Sequence, residues 1–164
     1  MRPNIGMRVK LASRGSGRWQ SSGGFRSKFG LTITEIMRGL EELKRRKILV
    51  RYMSYAAGPV GAGGNAARAM GTHRDAVTRV LEALPAGARL VLTSSIVTVG
   101  AGRGATRTED SPFPNARLRV AYVQAKRAAE QAALDAARAR DIVVVNPGYL
   151  FGPDDPGPSV MGEL

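Results

Sequence analysis

Tyr122 and Lys126 stand four residues apart in the alanine-rich stretch AYVQAKRAAEQAALDA. On a helix this interval places two side chains on one face, one turn apart. A cation beside a phenol favours the ionised form, so the pair suits proton transfer to or from the oxygen of a carbonyl or an alcohol. A solvated pair on a helix surface has the same spacing. The weight therefore rests on the elements around it.

A helix over residues 120–140 is predicted by Tyr122, Ala125, Ala129, Ala133 and Ala136, which share one stripe and are small enough for close packing on a sheet. Next comes DIVVVN, residues 141–146, a continuous apolar run of the kind buried on both faces of a parallel sheet, stopped by Pro147 and Gly148. Upstream, RLVLT at residues 89–93 reads as a strand that delivers Ser94 and Ser95. ILVRYMSY, residues 48–55, reads as another strand and ends in the small residues Ala56, Ala57 and Gly58.

Between these two strands, residues 65–84 place Ala69, Ala76, Val80, Leu81 and Leu84 on one helical face that ends near Pro85 and Gly87. Residues 100–118 form a long polar connection rich in Gly and Pro, long enough to carry function. Residues 34–43 show Ile36, Leu40 and Leu43 at helical spacing with Thr34 as N-cap, and residues 8–11 form a short strand. Strand and helix alternate. That order predicts an α/β fold with a parallel sheet.

Four linked features now stand in one order: a GTHRDAVTRVLEAL helix, a strand ending in TSS followed by a long loop, a YxxxK helix, and a strand ending in VNPGYLFGP. In this the chain resembles the extended short-chain dehydrogenase/reductase superfamily, in its branch of dihydroflavonol reductase-like and NAD-dependent epimerase/dehydratase proteins. The resemblance implies a partial Rossmann-like doubly wound parallel sheet and NAD or NADP as cofactor. It implies Ser95 as the hydroxyl on the substrate oxygen, because the family's serine lies five residues before the glycine that stands here as Gly100. Tyr122 would move the proton, and Lys126 would hold the nicotinamide ribose.

By the same resemblance Pro147, Gly148 and Leu150 would lie against the nicotinamide, while Ala56 and Ala57 would let the backbone approach the cofactor. Arg14 follows a segment like the family's second strand and would meet an adenosine 2′-phosphate if NADP is used. Leu31 and Ser54 depart from the family, standing where an aspartate and a histidine are usual. A Gly-rich phosphate turn after a first strand is not found before these elements, so an N- and C-terminally incomplete domain is expected. Gly61 to Ala66 fits G-x-G-x-x-A, yet it follows the fourth strand in the family order and reads as a decoy.

Composition narrows the classes further. The chain has 164 residues and is 43% hydrophobic, enough for one globular domain. Without cysteine it can form neither disulfides nor thiolate metal sites. His73, the single histidine, has only Asp75 as a nearby acid and is expected on a helix surface, so no metal centre is predicted. No apolar run reaches the roughly 20 residues of a membrane span, and no signal-peptide core opens the chain, which predicts a soluble, cytoplasmic protein.

The net charge of +12 is uneven, since residues 1–55 carry 13 Lys and Arg against 3 acids. Residues 1–30 are expected as a basic, poorly ordered Gly/Ser/Arg-rich segment, and residues 31–164 as the partial NAD(P)-binding domain. With 5% aromatic residues there is little stacking surface among these charges, which argues against nucleic acid as the partner. The expected partner is a small-molecule substrate, and a homodimer is compatible with the sequence. A catalytically inactive Rossmann-like fragment, or a partner-binding module, is the alternative.

Overall fold

The computed structural model describes residues 6–8, 30–56, 66–102, 104, 106–114 and 119–148. They fall into two compact units, residues 1–49 and 50–164.

In the first unit helix α1 spans Ile33–Arg45. Its N-cap is Thr32 rather than the expected Thr34: the Thr32 hydroxyl accepts from the Glu35 N–H, and the Glu35 carboxylate accepts from the Thr32 N–H at 2.7 Å. This reciprocal pair satisfies two backbone donors that a helix start leaves without partners. Lys44 and Arg45 lie in the last turn, where cations oppose the negative end of the helix dipole. Before the helix, the Leu31 N–H donates to the Arg8 carbonyl at 2.7 Å. The remainder of the predicted strand at 8–11 lies outside the described residues.

In the second unit, strands β1 (Tyr52–Tyr55), β2 (Arg89–Thr93) and β3 (Ile142–Val145) form a parallel sheet in the order β1-β2-β3. Each crossover is helical. Between β1 and β2 run α2 (Ala66–Met70), a π-helical turn at Gly71–Asp75 and α3 (Ala76–Ala83); between β2 and β3 runs α4 (Ala121–Ala136). The fold is α/β, a partial Rossmann-like arrangement as expected from the alternation of elements.

The sheet is packed on one side. Leu92 of β2 meets Val77 of α3 and Ala129 and Ala133 of α4, with Tyr55, Leu81, Ile142 and Val144 closing around them. Leu90, fully buried, packs with Leu84 and Ala88. Burying a side chain of that size contributes about 1.5–3 kcal/mol. The alanines of α4 let its backbone approach the sheet, and this is the close packing that the sequence stripe required.

The other side of β3 is partly exposed. Val143 and Val145 keep 40% and 41% of their surface exposed, so the expectation of a strand buried on both faces is corrected. Helices α3 and α4 both lie on the side of Leu92, and among the described residues of this unit no helix packs on the residues of opposite parity. Composition does not report this difference, because Val suits either face of a strand equally.

Register is set from both ends of the sheet. At the amino ends the Arg89 guanidinium bonds both oxygens of Asp141 at 2.9 Å. At the carboxyl ends the Ser94 N–H donates to the Val145 carbonyl at 2.8 Å, and the Ile96 N–H to the Pro147 carbonyl at 3.0 Å. The pairing of Thr93 with Val145 follows. Among the described residues no helix is long and apolar enough to cross a membrane.

Candidate active site

A parallel sheet carries its strand carboxyl ends on one edge, and the loops that leave them form the crevice in which α/β proteins bind ligands. Here that edge bears Ala56 after β1, Ser94 and Ser95 after β2, and Asn146, Pro147 and Gly148 after β3. Helix α4 brings its first two turns to the same edge. The proof is Lys126, whose Nζ donates to the Thr93 carbonyl at 3.0 Å.

Lys126 is 8% exposed. Burial lowers its pKa from the ordinary lysine value, and the carboxylate of Glu130, one turn further along α4, acts in the opposite direction. The ammonium lies 6.0 Å from the centre of the Tyr122 ring, which itself is partly exposed. The two groups therefore share a face as their spacing required. A solvated surface pair does not fit a buried ammonium.

His73 is not on the surface. It is 2% exposed, and its ring meets that of Tyr122 edge to face with centroids 5.5 Å apart. The π-helical turn is what turns it inward: a wider turn rotates the following residues relative to an α-helical continuation, and such turns recur at functional sites. Tyr55 supports the turn by donating its hydroxyl to the Thr72 carbonyl at 3.2 Å.

Ser95 and Ser94, adjacent in sequence, have different surroundings. Ser95 is partly exposed and caps a short 3-10 turn at Ile96–Thr98, its Oγ accepting the Val97 N–H at 3.4 Å. So long a contact leaves the hydroxyl available to a ligand. Ser94 is buried, and its Oγ donates to Glu130 Oε2 at 2.5 Å. Asn146 Nδ2 donates to the same Glu130 oxygen at 2.9 Å and to Thr98 Oγ1 at 2.8 Å. Among the described residues no buried side-chain polar atom lacks a partner.

The connection after Ser95 is anchored in its described part. Gly100 has φ +80°, and a Cβ there would lie 2.7 Å from Pro114 and 3.0 Å from Phe113. Phe113 in turn stacks under the Arg127 guanidinium of α4 at 3.7 Å. The loop thus returns to the helix that carries Tyr122.

Of the sequence-predicted cofactor contacts, Ala56 is exposed at the end of β1, while Pro147 and Gly148 follow β3, with open space around the position of a Gly148 Cβ. Arg14, Ala57 and Leu150 lie outside the described residues, as do all but the last residue of the Gly61 to Ala66 motif. Sequence reasoning passed over Glu130 and Asn146. Glu130 had a signal, since it continues the Tyr122 and Lys126 interval by another four residues; Asn146 had none.

Three parallel strands joined by helical crossovers define an α/β class with a partial Rossmann-like arrangement. The chain belongs to the NAD dependent epimerase/dehydratase family, whose model matches residues 41–163. Members of that family bind NAD(P). A solved structure, described as a thiolation-reductase di-domain from an archaeal non-ribosomal peptide synthetase, matches 79% of this chain and 37% of its own with TM-score 0.56 and 19% identity, a likeness of fold.

A separate likeness is short and close. The biosynthetic arginine decarboxylase of Rhodopirellula baltica is 70% identical over 43 residues, 26% of this chain and 6% of that enzyme. The corresponding enzyme of Phocaeicola vulgatus is 56% identical over 46 residues, 28% of this chain and 7% of its own length. The chain spans a small fraction of both decarboxylases and little more than a third of the solved structure's chain.

Proposed function

We propose that this chain is the core of an NAD(P)-dependent oxidoreductase or epimerase/dehydratase that acts on a small-molecule carbonyl or alcohol in the cytoplasm through Ser95, Tyr122 and Lys126. The observation that carries the reading is the buried Lys126, held at the carboxyl edge of the sheet one helical turn from Tyr122. A buried ammonium costs desolvation energy and is retained where a charge is useful.

The residues present fit the nicotinamide end of the cofactor. Lys126 offers donors for ribose hydroxyls, and the backbone at Pro147 and Gly148 can be approached closely because Gly148 carries no side chain. When bound, NAD(P) supplies or accepts the hydride. Ser95 donates a hydrogen bond to the substrate oxygen, and Tyr122 gives that oxygen a proton on reduction or removes one on oxidation. Lys126 places a positive charge behind the phenol, and this favours a phenolate when the proton has left.

Titration of the purified chain with NADH and NADPH, followed by nicotinamide fluorescence and repeated at raised salt, tests the reading. Saturable binding that survives salt is expected, because the contacts are hydrogen bonds in a crevice rather than attraction to the basic N-terminal residues. In a reductase assay Tyr122→Phe removes nearly all turnover with folding intact; unchanged turnover would sink the triad.

A second reading, an inactive module that binds a partner, is favoured by the partly exposed face of Val143 and Val145. Absence of NADH and NADPH binding would select it. Salt-sensitive binding of nucleic acid would instead point to the basic residues.

We place the decarboxylase-like stretch in the first unit. The family match begins at residue 41, which leaves about the length of that stretch before it, and the excess positive charge is concentrated there as well. A stretch equal to 6% of an enzyme is too short to bring an active site with it, so decarboxylation is not part of this reading.

A further inference from the structure

Glu130 lies outside the proposed triad, yet the loops around the triad converge on it. Its Oε2 accepts from Ser94 Oγ of the β2 end and from Asn146 Nδ2 of the β3 end, at 2.5 and 2.9 Å. A carboxylate can only accept, so the nitrogen of Asn146 faces it, and the same nitrogen continues to Thr98 Oγ1 at 2.8 Å and to the Ser95 carbonyl at 3.3 Å. Thr98 Oγ1 passes its own hydrogen to the Ser95 carbonyl at 2.8 Å. One carboxylate oxygen on α4 is thereby connected, through two side chains, to the backbone of Ser95.

We propose that Glu130 is a positioning residue of the oxidoreductase site: it ties the ends of β2 and β3 to α4, fixing Ser95 relative to Tyr122 and Lys126, and sets a carboxylate one helical turn from the Lys126 ammonium. The inference rests on the triad reading for its purpose, though not for its geometry.

The charge half has a physical basis. Lys126 is buried, and the acceptor to which its ammonium donates, the Thr93 carbonyl, is neutral. The groups around the ammonium are Thr93 of β2 and, on α4, Tyr122 and Glu130, with His73 of the π-helical turn beyond the Tyr122 ring. Among these described residues Glu130 is the one that carries a carboxyl group. The geometric half follows from branching: a side chain with one acceptor oxygen shared by two donors from two strands fixes both loops at once, whereas a donor to water would fix neither.

Glu130→Gln separates the two halves. A glutamine carbonyl can accept from Ser94 and Asn146 as the carboxylate does, but carries no charge. The parent chain and Glu130→Gln, Glu130→Asp and Glu130→Ala variants are labelled at Lys Cε and at side-chain amides for NMR, with Lys126→Arg and Asn146→Asp giving the assignments. In the parent the Asn146 side-chain hydrogens exchange slowly with solvent. In Glu130→Gln that protection persists while the Lys126 titration midpoint falls, the effect of removing a nearby opposite charge. Glu130→Asp, which keeps the charge at a shorter reach, falls between parent and glutamine variant.

Fast exchange of Asn146 in the parent overturns the geometric half without any variant having to fold, and a Lys126 midpoint unmoved by Glu130→Gln overturns the charge half. Glu130→Ala is expected to lose both signals. NADH and NADPH are each added to the parent sample as an independent arm. Failure of both NADH and NADPH to bind, with the Lys126 shift and Asn146 protection intact, removes the oxidoreductase reading and leaves the network standing; binding of either with neither signal does the reverse.

Discussion

Lys126 and Thr93 hold helix α4 to the end of strand β2: the lysine Nζ donates to the threonine carbonyl at 3.0 Å from a position 8% exposed. The bond crosses from the helix that bears Tyr122 to the strand that delivers Ser95. A neutral carbonyl compensates part of what the ammonium loses on leaving water, and the remainder sets the first prediction.

Burial holds the pKa of Lys126 below the ordinary lysine value of about 10.4. Between the lowered folded value and about 10.4 the unfolded chain binds the proton and the folded chain does not, so this residue makes folding more favourable as pH rises through that window. Below the window its burial is a constant cost. Lys126→Met removes the dependence. The difference in urea midpoint, parent minus variant, is expected to increase with pH up to about 10.4 and then level off; a flat or falling difference would show that the ammonium is not buried in solution.

Gly100→Ala tests the anchoring of the loop. The residue has φ +80°, and the added methyl meets Pro114 and Phe113, so a loss of about 1–3 kcal/mol is expected from denaturant unfolding. Gly102→Ala, where nothing lies within 4 Å of the added carbon, is the control and should be close to neutral. Equal effects at the two positions would remove the case for a pinned loop.

Ala133 is fully buried between α4 and the sheet. Ala133→Leu adds three carbons where the packing has no space, and a destabilisation of about 1–3 kcal/mol is expected. Leu134→Lys, one residue on and 49% exposed, should change stability by no more than about 0.5 kcal/mol. The reverse ranking would mean that α4 is rotated from the orientation described.

In the first unit Thr32→Ala removes the hydroxyl that accepts the Glu35 N–H. A loss of about 0.5–2 kcal/mol in α1 is expected. It should be read as faster amide exchange at Glu35 and Ile36, with the exchange of α4 unchanged.

The strand boundaries show how far sequence reasoning reached. RLVLT became β2 with no residue gained or lost, because Pro85 and Gly87 before it and Ser94 after it punctuate the run on both sides. The longer prediction at residues 48–55 shrank to Tyr52–Tyr55, since only those residues pair with β2, and Ile48 and Leu49 remain exposed. The cap of α1 was displaced by two residues. Thr32 and Thr34 are both compatible with helical spacing, and only Thr32 has a glutamate three positions on.

At the site, spacing alone placed Tyr122 and Lys126 on one face, because helical geometry is local. The burial of Lys126, the inward turn of His73, and the separate surroundings of Ser94 and Ser95 required contacts between residues far apart in the chain. Ser94 reaches Glu130 across 36 positions, and Asn146 reaches Thr98 across 48.

The sequence by itself determined the alternation of strands and helices, the small-residue face of α4 and the Tyr122/Lys126 pair, since each follows from periods of two or 3.6 residues and from side-chain size. Only the tertiary structure decided which serine is buried, which carboxylate gathers the loops and which face of β3 is left partly exposed. These depend on which strands become neighbours in the sheet and on the side from which α3 and α4 cover it.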